Sequence, residues 1–465
     1  MTPAEQDRFS HYTYPMAVSA LTNYDPAETS VDHLIGTPGY TGIFTRGGGF
    51  APNTNIDDAR QRWLFRMVHS PAPLQEKMTL FWHNHFATAY SKLNGIVGNV
   101  DATRMMAAVP AQDPNGARGQ IELLREHALG NFRTLLTEIS KDIAMLYWLD
   151  NRLNTRTAPQ ENFGREIMEL FTFGVEHYTE PDVYAATRAF TGWTVVRSTA
   201  PGGAYWNPTF NASQHDTNAK TFTFDITPGN RTIPARAAAS GMQDGLDLIN
   251  ALAVHPETAR RFARRLWTWF VSEVAPPDPG FVDSLAKVYL DNDTEIKPVI
   301  RALLFSSHFT NADKLYKRYA WPVEFVVRSL KEVGHVGFSV NSTLAPLVSM
   351  GQSLFEPPDV AGWDLGPAWF TTAGMLARMN FAATLAQNQR FALRDLSRPH
   401  NESPESLVDF VLESLGMPKP VASVYQAYID YVRAGGQWTG SETQLLNKTG
   451  GLFHLMTGSG EYQLV

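Results

Sequence analysis

The sequence predicts an all-α protein, one multihelical body interrupted by a small β-hairpin insertion at 194–235. Three observations predict it. Apolar residues recur at spacings of three and four through most of residues 55–457. Helix-start signals, such as Pro in a first turn, punctuate these stretches. Period-two alternation with a turn cluster stands out in one place, inside 194–235. A chain of 465 residues would admit about three domains on length alone. No long linker and no internal repeat divides it, so 54–465 reads as one helical domain behind an irregular N-terminal wrap, 1–53.

The elements are taken in chain order. The Pro, Gly, Thr and Tyr of the first 53 residues end in Arg46-Gly47-Gly48-Gly49, a loop rather than a phosphate cradle, because no strand precedes it and no GK[ST] comes after it. Ile56, Ala59, Trp63 and Met67 share one helical face. Ser70-Pro71-Ala72-Pro73 ends that helix and begins the next, with Pro73 suited to a first turn. Helices are then expected at 98–108, 117–129 and 131–148. The stretch 162–173 is a further helix with Gly174 as its C-cap, and Thr179 with Asp182 forms a capping box opening a helix to Thr191.

In the insertion, residues 221–226 alternate as a strand and run into the turn Pro228-Gly229-Asn230. Helical periodicity returns at 241–254, 256–273, 279–291, 294–306, 317–333, 372–390, 404–415, 420–433 and 440–457. His255-Pro256-Glu257 reads as one of these starts, and Pro322 with Glu324 as another.

Composition excludes several classes of function. Hydrophobic residues make up 43% and charged residues 18%, a globular balance. A net charge of −7 without a long basic run argues against a nucleic-acid partner. The densest basic cluster, Arg260, Arg261, Arg264 and Arg265, lies across its helix from Phe262, Leu266 and Trp269 and reads as a solvated face. The absence of cysteine removes disulfides, thiolate catalysis and sulfur-ligated metals. No apolar run of about 18 residues is present, so no membrane span is expected.

Two segments carry the chemistry. Residues 79–90 (TLFWHNHFATAY) set His83 and His85 among aromatics. Residues 162–173 (NFGREIMELFTF) carry Arg165, Glu166 and Glu169. On a helix, Asn162, Glu166, Glu169 and Phe173 share a face, and two carboxylates there require partners, with Arg165 and the histidines the obvious ones. Paired carboxyls in such a place have their pKa values driven apart, which suits one to act as acid and the other as base or nucleophile. A buried Arg–Glu network that pins two helices explains the same residues. His83 and His85 lie about 200° apart around a helix, so one is expected to face the polar centre while the other is packed elsewhere.

Further candidates sit on loops. His215 and Asp216, with Lys220, could reach over a pocket or form a turn. Pro357-Pro358 forces an extended segment that carries Trp363 and Trp369, whose faces suit sugar rings and suit plain packing too. Arg378, Asn380 and Trp193 complete the set of candidate binding residues.

Read in order, FWHNHF at 81–86, NFGREIMELFTFG at 162–174, YTEPDVYAATRAFTGWT at 178–194, His215-Asp216 with Lys220, VHPETARRFARRLWTWFV at 254–271, YAWPVEFV at 319–326 and MGQSLFEPPDVAGWDLGPAWFTTAGMLARMNF at 350–381 resemble the large bacterial family named domain of unknown function 1800 (DUF1800). The resemblance spans most of the chain. It implies a mainly helical, exported bacterial protein, periplasmic or extracellular, and brings no settled activity with it. One departure stands out: the family's E-L-H is Glu169-Leu170-Phe171 here, so any role of that histidine is absent or moved.

The expectation is therefore a hydrolase acting on a carbohydrate or other polyhydroxylated polymer. Glu166 and Glu169 are its acid and its base or nucleophile, Arg165 and a histidine from 83 or 85 assist, and Trp363 and Trp369 form the platform. No cofactor is favoured. Two alternatives stay open: a divalent-metal enzyme with ligands among His83, His85, Glu166, Glu169 and His215, and a non-catalytic binding or assembly module.

Overall fold

The computed structural model describes residues 31, 32, 35, 49–200, 203–310, 317–334, 340–387 and 393–465. The expected wrap over 1–53, with its glycine run, lies almost wholly outside the described residues. From Ile56 onward helices dominate. The first group is α1 (Ile56–His69), α2 (Pro73–His85), α3 (Tyr90–Val97), α4 (Asn99–Ala107), α5 (Gln120–Glu126), α6 (Phe132–Lys141), α7 (Ile143–Trp148), α8 (Asn162–Glu169) and α9 (Glu180–Ala189). After the insertion come α10 (Met242–Ala253), α11 (Pro256–Phe270), α12 (Pro279–Asp291), α13 (Ile296–Leu304), α14 (Ser307–Thr310), α15 (Pro322–Glu332) and α16 (Val340–Ser349). The last group is α17 (Thr372–Ala386), α18 (Leu393–Leu396), α19 (Pro404–Ser414), α20 (Ala422–Arg433) and α21 (Glu442–Thr457).

Local signals set many of these ends. Asn55 caps α1 by accepting from the N–H groups of Asp57 and Asp58. Thr179 and Asp182 form the expected capping box of α9. The ring of His255 accepts from Glu257 N and opens α11 behind Pro256. Glu324 accepts from Trp321 N at 3.0 Å at the start of α15.

Several boundaries differ from expectation. The helix expected over 131–148 is two, because Asp142 turns extended and its carboxylate caps a new start at Met145 N, 2.9 Å away. The helix expected to reach Phe173 ends at Glu169, and Gly174, at φ 91°, closes a longer turn by donating to Met168 O. Four helices, α3, α16 and the single turns α14 and α18, were not anticipated; α16 carries Pro346 in its interior, which masks a helical pattern.

The insertion also departs in register. Its long hairpin pairs β1 (Trp193–Ala200) with β2 (Gly203–Phe210), Trp193 opposite Phe210 and Arg197 opposite Trp206. The alternating stretch 221–226 forms only β3 (Lys220–Thr221), paired with β4 (Thr232–Ile233). The reason lies in Asp182, which is fully buried and takes both the N–H and the hydroxyl of Thr223, at 2.7 and 2.6 Å, so that backbone is claimed by α9 instead of a partner strand. Phe222, Phe224 and Ile226 nevertheless point inward, as their alternation requires.

The buried apolar residues form one contiguous cluster from α1 to α21 among the described residues. No described helix is long and apolar enough to cross a membrane.

Candidate functional site

The two histidines of α2 part company, as the helical turn between them requires. His83 enters an aromatic cage: its ring lies 5.3 Å from Trp363, 5.4 Å from Trp63 and 5.8 Å from Phe355, and Nε2 has no hydrogen-bond partner. Burial draws its pKa down to about 3, so it stays neutral. His85 turns towards the segment after α8, with Nε2 3.0 Å from Phe171 O. A carbonyl only accepts, so Nε2 carries the proton and Nδ1 is a bare lone pair, buried and without a partner. Burial, and then Arg265 and Arg261, hold this ring far below the ordinary histidine range.

Between the two, Asn84 does what neither histidine does. Its Oδ1 accepts from Trp363 N at 2.7 Å, against Gly362, whose φ of 93° and lack of Cβ leave room for it. This residue had no signal of its own in the sequence.

The carboxylate helix α8 is amphipathic in the ordinary sense. Phe163, Gly164, Ile167 and Met168 face the core, and Gly164 lets α8 press on the backbone of Thr187 in α9. The face expected to be a buried polar one is therefore a half-buried flank, and Asn162 at its start is exposed. Arg165 is not the partner of Glu166 or Glu169. Its guanidinium meets Glu180 at 2.9 and 2.8 Å and Glu161 at 3.4 Å, on the outer edge.

Glu166 is left without a hydrogen bond or ion pair among the described residues. Burial and then the charge of Glu169 raise its carboxyl to about 7, against a smaller opposing pull from Arg165. Glu169 accepts the hydroxyl of Tyr178, a short contact that sequence reading missed because nothing in a nine-residue separation across a turn signals it. Burial, with that hydrogen bond, pushes the Tyr178 phenol to about 12, so it remains a donor. Behind them Arg261 of α11 donates to Leu170 O and, at 3.2 Å, to Thr172 O, which fixes the chain leaving α8.

The remaining candidates are structural where they are buried. His215 is enclosed, Nδ1 2.8 Å from Thr191 O and Nε2 3.2 Å from Asp244. Asp244 also receives Lys220 at 2.5 Å and Arg236 at 2.7 Å, and Asp216 receives both arms of Arg188 at 2.9 Å. These contacts pin the insertion to α9 and α10. Trp193 packs on Phe190 and Gly245. Trp363 and Trp369 are 5% and 6% exposed, so the expected platform is instead part of the core; of the two prolines before them Pro357 is buried and Pro358 exposed. Arg378 is buried, bound to Ala320 O at 2.8 Å and Gln463 at 3.1 Å, while Asn380 is exposed.

No group of three His, Asp or Glu among the described residues is spaced to hold a metal ion, so the alternative ligand set of His83, His85, Glu166, Glu169 and His215 does not assemble. A cleft of about 230 Å³ opens between β2 and the helices α4 to α6, lined by Arg104, Arg118, Lys141, Tyr205 and Trp206 among others; Glu166 and Glu169 are not in its walls.

The model of a family described as "Protein of unknown function (DUF1800)" matches residues 3–464. No curated protein and no solved structure matches the chain.

Proposed function

The chain belongs to the DUF1800 family, and for this member we propose a hydrolase that cleaves a carbohydrate or other polyhydroxylated polymer, with Glu166 as general acid and Glu169 as base or nucleophile. One observation carries the reading: Glu166 is a half-buried carboxyl with no partner among the described residues, raised to about 7 and set one turn from a second carboxylate. A proton-holding acid near neutrality beside an acceptor is the division of labour that acid–base hydrolysis requires. Glu169, engaged by the Tyr178 hydroxyl, is oriented as an acceptor.

The assisting histidine expected from the sequence becomes a positioning residue in this scheme. His85 holds the Phe171 carbonyl beyond α8 and does not itself touch either carboxylate in any described hydrogen bond. Such a substrate places the protein outside the cytoplasm, where large polymers are met.

Release of reducing ends from a panel of soluble polysaccharides tests the proposal, with Glu166→Gln and Glu169→Gln made separately. Each is expected to lose turnover by at least about a hundredfold while keeping the wild-type fold. Full turnover in both variants removes the reading. A binding or assembly module whose polar centre is purely structural predicts the opposite split, with folding stability falling by about 3–5 kcal/mol. The packing of Arg165 on Glu180 instead of on Glu166 weighs against that alternative.

A further inference from the structure

Helix α11 places Arg261, Arg264 and Arg265 on one face, at i, i+3 and i+4. By sequence pattern alone that face is a solvated surface. In the fold only Arg264 is exposed; Arg261 and Arg265 are half-buried, and Arg265 lies 5.9 Å from the ring of Phe81. None of the three pairs with a carboxylate among the described residues. Arginines nearby behave differently: Arg260 on the same helix reaches Asp283 at 2.8 Å, Arg165 reaches Glu180 and Arg188 reaches Asp216. On one helix these spacings bring the three charges close together, and they repel: Arg264 acts on Arg261, and Arg261 on Arg265. The acid whose field reaches Arg261 is Glu169. The uncompensated cluster thus adjoins the carboxylate pair.

A second observation concerns His85. Its Nδ1 is a buried lone pair that lacks a donor, and Arg261 and Arg265 are the charges that act on it. Neither guanidinium hydrogen-bonds to it directly. Among the described residues Arg265 has no acceptor, Arg261 has only the neutral carbonyls of Leu170 and Thr172, and neither has an anionic partner; with one lone pair in want of a donor, they describe a single complementary group: an oxyanion with a hydroxyl beside it. Burying cations without a counter-ion is costly, and an anion that binds them relieves that cost.

We propose that Arg261, Arg264 and Arg265, with His85, form an oxyanion subsite beside Glu166 and Glu169, and that the polymer cleaved is an acidic one whose sugar carboxylates are read there. This rests on the acid–base reading above for its catalytic context, and on the arginines alone for binding.

Binding is measured by calorimetric titration of the full chain with glucuronate, glucose and inorganic phosphate at matched ionic strength. Glucuronate is expected to bind and glucose not, with affinity lost by about tenfold or more in Arg265→Gln and in the exposed, fold-neutral Arg264→Gln. Binding is expected to persist in Glu166→Gln. Should Arg265→Gln fail to fold, Arg264→Gln and Arg265→Lys carry the comparison. Equal behaviour of glucuronate and glucose means that only water bridges these groups, and overturns the subsite. Undiminished affinity in the folded arginine variants does the same, and arginine-dependent binding of phosphate without glucuronate overturns the sugar-acid assignment. Arginine-dependent glucuronate binding in a protein whose Glu166→Gln and Glu169→Gln forms retain turnover removes the acid–base reading alone.

Discussion

The residue that distinguishes this molecule is Glu166, and its chemistry fixes a sign. Its carboxyl sits at about 7 when folded, against 4.5 for the free side chain, because burial and Glu169 both disfavour its charge. A group with a raised folded pKa contributes stability that is present below the unfolded value and lost as pH rises through the folded one. Glu166→Gln, a permanent mimic of the protonated form, is therefore expected to match wild type near pH 4 and to exceed it at pH 9, by about 1–2 kcal/mol once solvent screening is allowed for. Chemical denaturation at the two pH values checks this, and an unchanged or lowered midpoint at pH 9 contradicts it. The residue types of this site were legible in the sequence: two carboxylates one turn apart, two histidines that could not face the same way. Their partners were not. Arg165 looks like the counter-ion of Glu166 until the chain folds and Glu180, fifteen residues on, takes it.

At the scale of elements, helices were legible wherever caps and periodicity agreed, as at Asn55, Thr179 and His255. They were misjudged where one signal was overruled by a contact from far along the chain. Leu170 to Phe173 continue the apolar pattern of α8, but Arg261 claims the Leu170 carbonyl and the helix stops. The loop of Trp363 and Trp369 reads as a presented platform because sequence specifies rings without specifying what covers them. What covers Trp363 is α2, through Asn84 and His83, and what covers Trp369 is Trp321. Removing the Asn84 side chain leaves Trp363 N buried without an acceptor, so Asn84→Ala is expected to cost about 1–3 kcal/mol and to loosen the whole 352–370 segment. Faster amide exchange across that segment, with α8 unaffected, is the expected signature; uniform exchange would argue that Asn84 holds nothing in particular.

The molecule as a whole resists acid through a few carboxylates held low against their own burial. Burial alone would raise Asp216 and Glu324, yet the hydrogen bond from Arg188 in one case, and Arg318 with Lys77 in the other, bring each to about 2. A depressed carboxyl contributes stability present above its unfolded value and lost as pH falls through its folded one. The denaturation midpoint is therefore expected to hold down to about pH 4 and to drop between about 4 and 2, more steeply in wild type than in Asp216→Asn. Parallel curves would show that this pair does not matter. The all-helical class and the place of the insertion came from pattern alone; the pairing of the insertion did not, since Asp182 redirects it from outside. At the centre of the molecule the tryptophans gather. Trp321 lies 4.8 Å from Trp269, 5.7 Å from Trp369 and 6.5 Å from Trp363, ring to ring. Indoles this close couple through their transition dipoles, so the circular dichroism of the group depends on the angles between the rings. Two of its members belong to the segment that Asn84 tethers. The protein thus carries an intrinsic optical gauge of whether that segment is seated.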